Sequence, residues 1–323
     1  MMYPFFFKPI LKEIIWGGTA IRSFKGMEPN DVKTGESWEL SQVKGNYSVV
    51  ANGALEGKTI DELIDQFGAK LLGGKVIRQF GTTFPLLIKF IDAHDNLSIQ
   101  VHPDDVLAQA RHRSFGKTEM WFVVKAAPGA VLYSGLSQPI DTEEYIRRIE
   151  DDNIIDVLQQ HKVQEGDVFF LPSGRIHALG AGCFVAEIQQ TSDVTYRIYD
   201  YNRKDANGNS RELHTGLAKD AIDYTVYPDY RTAYTPEPNQ IVPLVQCKYF
   251  TTNLLELDIS KERDYTSMDS FVIYICVEGK ATLQDNNYNE LTIHQGETVL
   301  IPAEIQSITI TPEPQIKLIE TYI

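Results

Sequence analysis

Hydrophobic residues recur along this chain at two periods, and the shorter one dominates. Runs such as Trp121-Phe122-Val123-Val124, Ala130-Val131-Leu132-Tyr133, Asp167 to Leu171 and Phe184 to Gln189 are brief and rich in β-branched and aromatic residues. Gly, Pro, Asn and Asp close them at short intervals, which predicts many short strands in a sandwich or barrel. Elsewhere the pattern switches to the helical period. Thr59 and Glu62 have capping-box spacing, and Ile60, Leu63, Ile64, Phe67 and Leu71 follow on one helical face. Asp141 with Glu144 repeats that signature ahead of Tyr145, Ile146 and Ile149. Asn153 is placed to cap a further short helix through Ile154, Val157 and Leu158. These segments predict amphipathic helices laid on a sheet and carry no chemistry.

Near Tyr227 the periodicity stops. The segment from Tyr227-Pro228-Asp229-Tyr230 to Pro236-Glu237-Pro238-Asn239 is Pro-rich and reads as a linker. Beyond it, Tyr249 to Ile323 returns to short strands, with Gly279 and Gly296 ahead of apolar runs as in the first part. We therefore expect a larger domain over 1–235, carrying the helices, and a smaller β domain over 236–323. A length of 323 residues is suited to two such units.

Composition narrows the function classes. Apolar content of 43% and charged content of 23% fit an ordinary globular protein. No run is long and apolar enough for a membrane helix. The apolar start, Met1 to Pro9, lacks a basic region and a small-residue cleavage site, so it is not read as a signal peptide. A net charge of −14 argues against nucleic acid or an anionic membrane as partner. It leaves room for a locally basic pocket. Cys183, Cys247 and Cys276 are odd in number and widely spaced, which predicts free thiols and a cytoplasmic protein.

Candidate chemistry sits in two stretches, Leu97 to Asp105 with the nearby Lys117-Thr118-Glu119, and Gly166 to His177. Gln100 and His102 are two apart, so on a strand they share a face. Glu119 opens an apolar run where an unpaired buried carboxylate would be costly, whereas a metal or a cation would offset that cost. His177 ends the spacing G-x5-P-x-G-x2-H, in which Gly166 admits the strand, and Pro172 and Gly174 turn the chain to aim the imidazole inward. Two imidazoles and a carboxylate suffice for a divalent metal with an open position, which usually serves chemistry. Lys89 lies in an apolar stretch, Lys117 is two residues before Glu119, Arg197 alternates with Tyr196 and Ile198, and Glu187 shares a strand face with Gln189. Singly these charges read as ordinary ion pairs. Together, cations beside a metal suggest a phosphorylated or carboxylated ligand.

The spacing around His177 resembles the second motif of the cupin superfamily, whose metal lies inside a small jelly-roll. It departs in lacking the Asn that often follows, with Gly180 and Ala181 there instead. More specifically, Trp16-Gly17-Gly18, Gly35-Glu36-Ser37-Trp38-Glu39, Pro85 to Asp92, Leu97 to Asp105, Gly116 to Trp121, Gly174 to Gly180 and Glu187 to Arg203 resemble the short bacterial type I mannose-6-phosphate isomerases (phosphomannose isomerases). This resemblance implies a mainly β fold of two cupin-type jelly-roll domains, with a few short helices packed on the first. It implies one zinc ion per chain on Gln100, His102, Glu119 and His177. It also implies Arg197 as the catalytic arginine, Lys117 as the lysine before the zinc Glu, Glu187 as an acid/base carboxylate, and Ser98 with Lys89 as phosphate contacts. Longer members insert a helical domain between the last two metal ligands, and this chain has no room for it.

The implied reaction interconverts D-mannose 6-phosphate and D-fructose 6-phosphate through a cis-enediol, with a phosphorylated sugar as partner and neither nucleic acid nor membrane. An arginine stays protonated, so Arg197 is expected to stabilise the enediolate, while Glu187 and a lysine both remain open as the carbon base. In the second domain Gly296 and Pro302 repeat the G-x5-P spacing, but Ser307 stands where the histidine would be, so no second metal site is expected there. The generic barrel also suits a non-catalytic sugar-binding cupin or an iron-dependent redox cupin.

Overall fold

The computed structural model describes residues 2–205 and 207–323. It is mainly β. Two sheets form the first barrel. One has six strands in the order Val168–Leu171, Glu119–Ala126, Cys183–Gln190, Leu86–Ala93, Ile10–Gly18 and Thr34–Leu40. The other has five, in the order Leu158–Lys162, Val131–Leu136, His177–Leu179, Ile99–Val101 and Tyr196–Tyr199. Between them pack Trp16, Ile91, Trp121, Leu132, Phe169, Leu179 and Val185.

The strand Leu86–Ala93 is buried along its whole length because both of its faces are covered. Leu86, Ile88 and Phe90 turn outward onto a core shared with Ile60, Leu63, Leu72 and Phe271. Lys89 and Ile91 turn into the barrel. On the far side, Ile99, Val101, Ala178 and Ile198 pack against Tyr145, Ala218 and Ile222.

The helices follow the sequence pattern with two departures. Thr59 and Glu62 make a true capping box at the start of Ile60–Phe67, and the Asp141 carboxylate accepts from the Glu144 N–H. However, Gly68 breaks the first helix, so Leu71 belongs to a separate turn, Ala69–Leu72. Asn153 makes no side-chain cap. Ile154–Val157 is a 3₁₀ turn, and Leu158 already begins a strand. The Pro-rich segment after Tyr227 contains no helix or named strand, yet it is strapped to the first barrel. The Tyr230 hydroxyl donates to Leu136 O and accepts from Leu136 N–H, and Arg231 bridges Phe169.

A second jelly-roll closes around Leu255, Tyr274, Leu283, Val299, Ile308 and Leu318. Its long strands, Val272–Asp285 and Ser307–Tyr322, pair along most of their length with bulges near Cys276 and Gly279. Gly279 has φ 76°, the left-handed backbone that a bulge favours. The strand Phe5–Phe6, from the start of the chain, joins this sheet by pairing with Leu300 and Val299. No helix among the described residues is long and apolar enough to cross a membrane.

Inside this second barrel the fully buried Glu320 carboxylate is saturated. It accepts from Arg263 Nε at 2.8 Å and Nη2 at 2.9 Å, from Tyr265 and from Asn253. Removing one member of such a pair strands the other in low dielectric. Glu320→Ala should therefore lower the unfolding free energy by about 3–5 kcal/mol in urea titration. A loss below about 1 kcal/mol would place this pair with ordinary surface ion pairs.

Candidate metal centre and active-site cavity

Strand register assembles the site. His177 and Gln100 are direct partners, and Gln100 also pairs with Arg197, so three neighbouring strands of the five-stranded sheet present these side chains together. In the facing sheet Glu187 lies between Lys89 and Trp121, and Gln189 lies beside Glu119. His102 falls one residue past the end of Ile99–Val101 but keeps its alternation with Gln100. Gly166 and Gly174, at φ 86° and 88°, adopt the turns that bring His177 inward.

The metal-ligand candidates meet at one buried point. The donor atoms of His102, Glu119 and His177 all lie within 4.8 Å of one another, and Glu119 is 0% exposed. Glu119 is therefore not a strand-edge carboxylate in water. His177 Nδ1 sits 2.8 Å from the Arg175 carbonyl and His102 Nδ1 sits 3.0 Å from the Val194 carbonyl. A carbonyl can only accept, so both protons sit on Nδ1 and both Nε2 lone pairs face Glu119. His177 Nε2 is 3.2 Å and His102 Nε2 3.5 Å from the carboxylate oxygens. Glu119 Oε1 is buried without a hydrogen-bond donor. Lone pairs pointed at a carboxylate oxygen repel unless a cation lies between them; Lys117 takes that place beside His102, but no cation among the described residues does so between His177 and Glu119 Oε1, so this donor set fits a divalent metal. The Gln100 carboxamide reaches His177 Nε2 at 3.3 Å and offers a fourth ligand atom once its oxygen is turned inward.

Charge around this point is one-sided. Lys117 donates to Glu119 and lies 3.1 Å from His102 Nε2. Burial, with the Lys117 charge adding to it, holds His102 well below the usual imidazole range and keeps it neutral. Burial opposes ionisation of Glu119, but the Lys117 ammonium beside it overrides that and holds the carboxyl well below its usual range.

Beyond the metal point opens a cavity of roughly 360 Å³, within the range of small-ligand pockets. Ser98, Gln100, Lys117, Lys89, Glu187 and Arg197 line it, so every residue singled out in the sequence borders one site. Lys89 does not snorkel outward. It is buried, 3.1 Å from Glu187 and 3.8 Å from Glu36, and although burial works against its charge these carboxylates raise its pKa. Glu187 also accepts from Trp121 Nε1 at 2.8 Å. Arg197 differs. Its Nη1 donates to the Glu212 carbonyl, its Nε is buried without a partner, and no carboxylate among the described residues lies within ion-pair distance.

Several lining residues had no assigned role in the sequence: Glu36, Trp38, Asp193, Thr195 and Arg211. The alternation of Glu36 with Trp38 in Thr34–Leu40 was the available signal. Trp38 Nε1 donates to Glu36 at 2.6 Å on that shared face.

Comparison with known proteins agrees with this geometry. Residues 5–119 match the model of the phosphomannose isomerase type I catalytic domain, and residues 240–323 match the mannose-6-phosphate isomerase cupin domain. The chain is 35% identical over 302 residues to mannose-6-phosphate isomerase ManA of Bacillus subtilis, covering 93% of each. It is 32% identical over 308 residues to the mannose-6-phosphate isomerase of Streptococcus mutans, covering 95% of each. The crystal structure of a mannose 6-phosphate isomerase from Bacillus subtilis superposes with a TM-score of 0.89 over 100% of both chains at 33% identity.

Proposed function

The chain belongs to the type I phosphomannose isomerase family and is a mannose-6-phosphate isomerase, and from that premise we propose a zinc-dependent mechanism with a role for each cavity residue. The observation that carries it is the convergence of two imidazole lone pairs on the Glu119 carboxylate, whose Oε1, facing His177, has no donor, in a cavity that Arg197 also lines. His102, Glu119 and His177, with Gln100, would hold the ion. When bound, zinc supplies a redox-inert Lewis acid that polarises a carbonyl.

The substrate is a hexose 6-phosphate, and the reaction moves one proton between C1 and C2 through a cis-enediol. Arg197 remains protonated and has no carboxylate partner among the described residues, so its charge is free for the oxyanion of the enediolate. Glu187 faces the cavity with one oxygen held by Trp121 and the other beside Lys89, which places a carboxylate base next to a proton donor. Lys117 holds Glu119 in place. Ser98 and Lys89 are the proposed phosphate contacts, and Lys89 enters that role with its charge already divided between Glu187 and Glu36. All of these residues fall within 1–235, and 236–323 contributes none of them. The free thiols fit a cytoplasmic setting.

The test is a coupled assay from mannose 6-phosphate to fructose 6-phosphate, with metal content measured on the same sample. Turnover should follow zinc occupancy. Fully zinc-loaded protein with no isomerase activity would refute the reading.

A further inference from the structure

We infer that Asp105 is a positioning residue for the metal-side catalytic strand and that Tyr249, from the C-terminal half, holds it there; this rests on the isomerase reading above. Asp105 touches neither the cavity nor a metal-ligand candidate. It begins the helix Asp105–His112, three residues after His102. Its Oδ1 accepts from the Gly116 N–H at 3.0 Å and from Gln190 Nε2 at 3.0 Å. Gln190 Oε1 in turn accepts from the Thr118 N–H at 2.8 Å, and the Lys117 N–H donates to the Pro103 carbonyl.

The three residues that lead into Glu119 are thus hung from successive backbone bonds, one of which ends on the Asp105 carboxylate and another of which reaches it through Gln190. A Cβ on Gly116 would lie 2.6 Å from Asp105 N, so only glycine permits this approach. The remaining carboxylate oxygen accepts the Tyr249 hydroxyl at 2.7 Å. Tyr249 lies in the turn between the strands Ile241–Gln246 and Thr251–Leu257, which belong to the sheet of the second barrel. A charged acceptor makes stronger bonds than a neutral one, so a single carboxylate ties together the His102 loop, the approach to Lys117 and Glu119, the strand carrying Glu187, and the C-terminal barrel. That gives the barrel with no proposed ligand a part in the reaction.

The experiment uses full-length Asp105→Ala, Asp105→Asn and Tyr249→Phe proteins. For each, kcat and KM per bound metal are measured, along with the visible spectrum of the cobalt(II) form and the rate of cobalt release to a chelator. Asp105→Ala should lower kcat about tenfold and speed cobalt release about tenfold, as loss of outer support for a metal site does. Its KM should change by less than about twofold, because remote substrate contacts are intact. Asp105→Asn should recover most of the loss, since its amide oxygen still accepts from Gly116 and Gln190. Tyr249→Phe should move every readout the same way by a smaller factor.

An Asp105→Ala protein with unchanged kcat, spectrum and release rate overturns the inference, however far its Tm falls. Should that variant not fold, Tyr249→Phe decides, because it removes one hydroxyl, and wild-type behaviour there overturns the inference equally. A wild-type protein that binds cobalt but shows no turnover faults the isomerase reading instead.

Discussion

His177→Ala should purify without metal and lose turnover by about 10³-fold or more, since Lewis-acid polarisation contributes several kcal/mol and each 1.36 kcal/mol is tenfold. The histidine is buried, and its backbone is paired with Gln100 on one side and Ser134 on the other, so the strand retains its ladder when the ring is removed. The effect should therefore appear as lost metal with little loss of fold. Metal analysis after gel filtration and near-ultraviolet circular dichroism on the same sample check both parts. Full metal stoichiometry in this variant would mean that the lone-pair convergence on Glu119 is not the ion's binding point.

Arg197→Ala should do the opposite, keeping metal at wild-type stoichiometry while kcat falls by about 10²–10³, the usual cost of removing one preorganised donor to a developing oxyanion. Among the described residues its side chain hydrogen-bonds the Glu212 carbonyl alone, and its backbone N–H keeps His214 as acceptor after substitution. Arg197→Lys should recover little, because an ammonium lacks the planar array of donors. Metal analysis beside steady-state kinetics distinguishes the two variants, and loss of metal from Arg197→Ala would remove its proposed role.

Much of this site was legible because it depends on local spacing. Gln100 and His102 could be paired from strand alternation alone, and the glycines and proline before His177 marked the turn that aims it. The burial of Glu119 was less legible, because a carboxylate opening an apolar run reads, taken alone, as a strand-edge residue in water. Other features had no local signal. Leu86–Ala93 is covered on both faces, so nothing in its pattern shows that Lys89 points inward toward Glu36 and Glu187. Arg263 and Glu320 are far apart in sequence and are not paired in the sheet, Arg263 lying opposite Ile308 and Glu320 opposite Asn253 and Tyr274, so they meet only when the second barrel closes. Asn153 has the right residue type for a cap, but the strand beginning at Leu158 leaves room for only one 3₁₀ turn. Asp105 gave no hint either, because its importance lies in which backbone groups reach it across the fold.

The pairing of Phe5–Phe6 with Thr298–Ile301 bears on how the chain is made. The Phe5–Phe6 strand emerges ahead of every strand of the first barrel and has to wait for Leu300 and Val299, from beyond that barrel, before its backbone is matched. Contacts this distant in sequence close late and slowly. Until then an aromatic, unpaired edge is open to neighbouring chains, the kind of surface that favours misassembly in multidomain proteins. The second barrel is thus completed by a strand made before the first barrel, so it cannot close without chain from the far side of its neighbour.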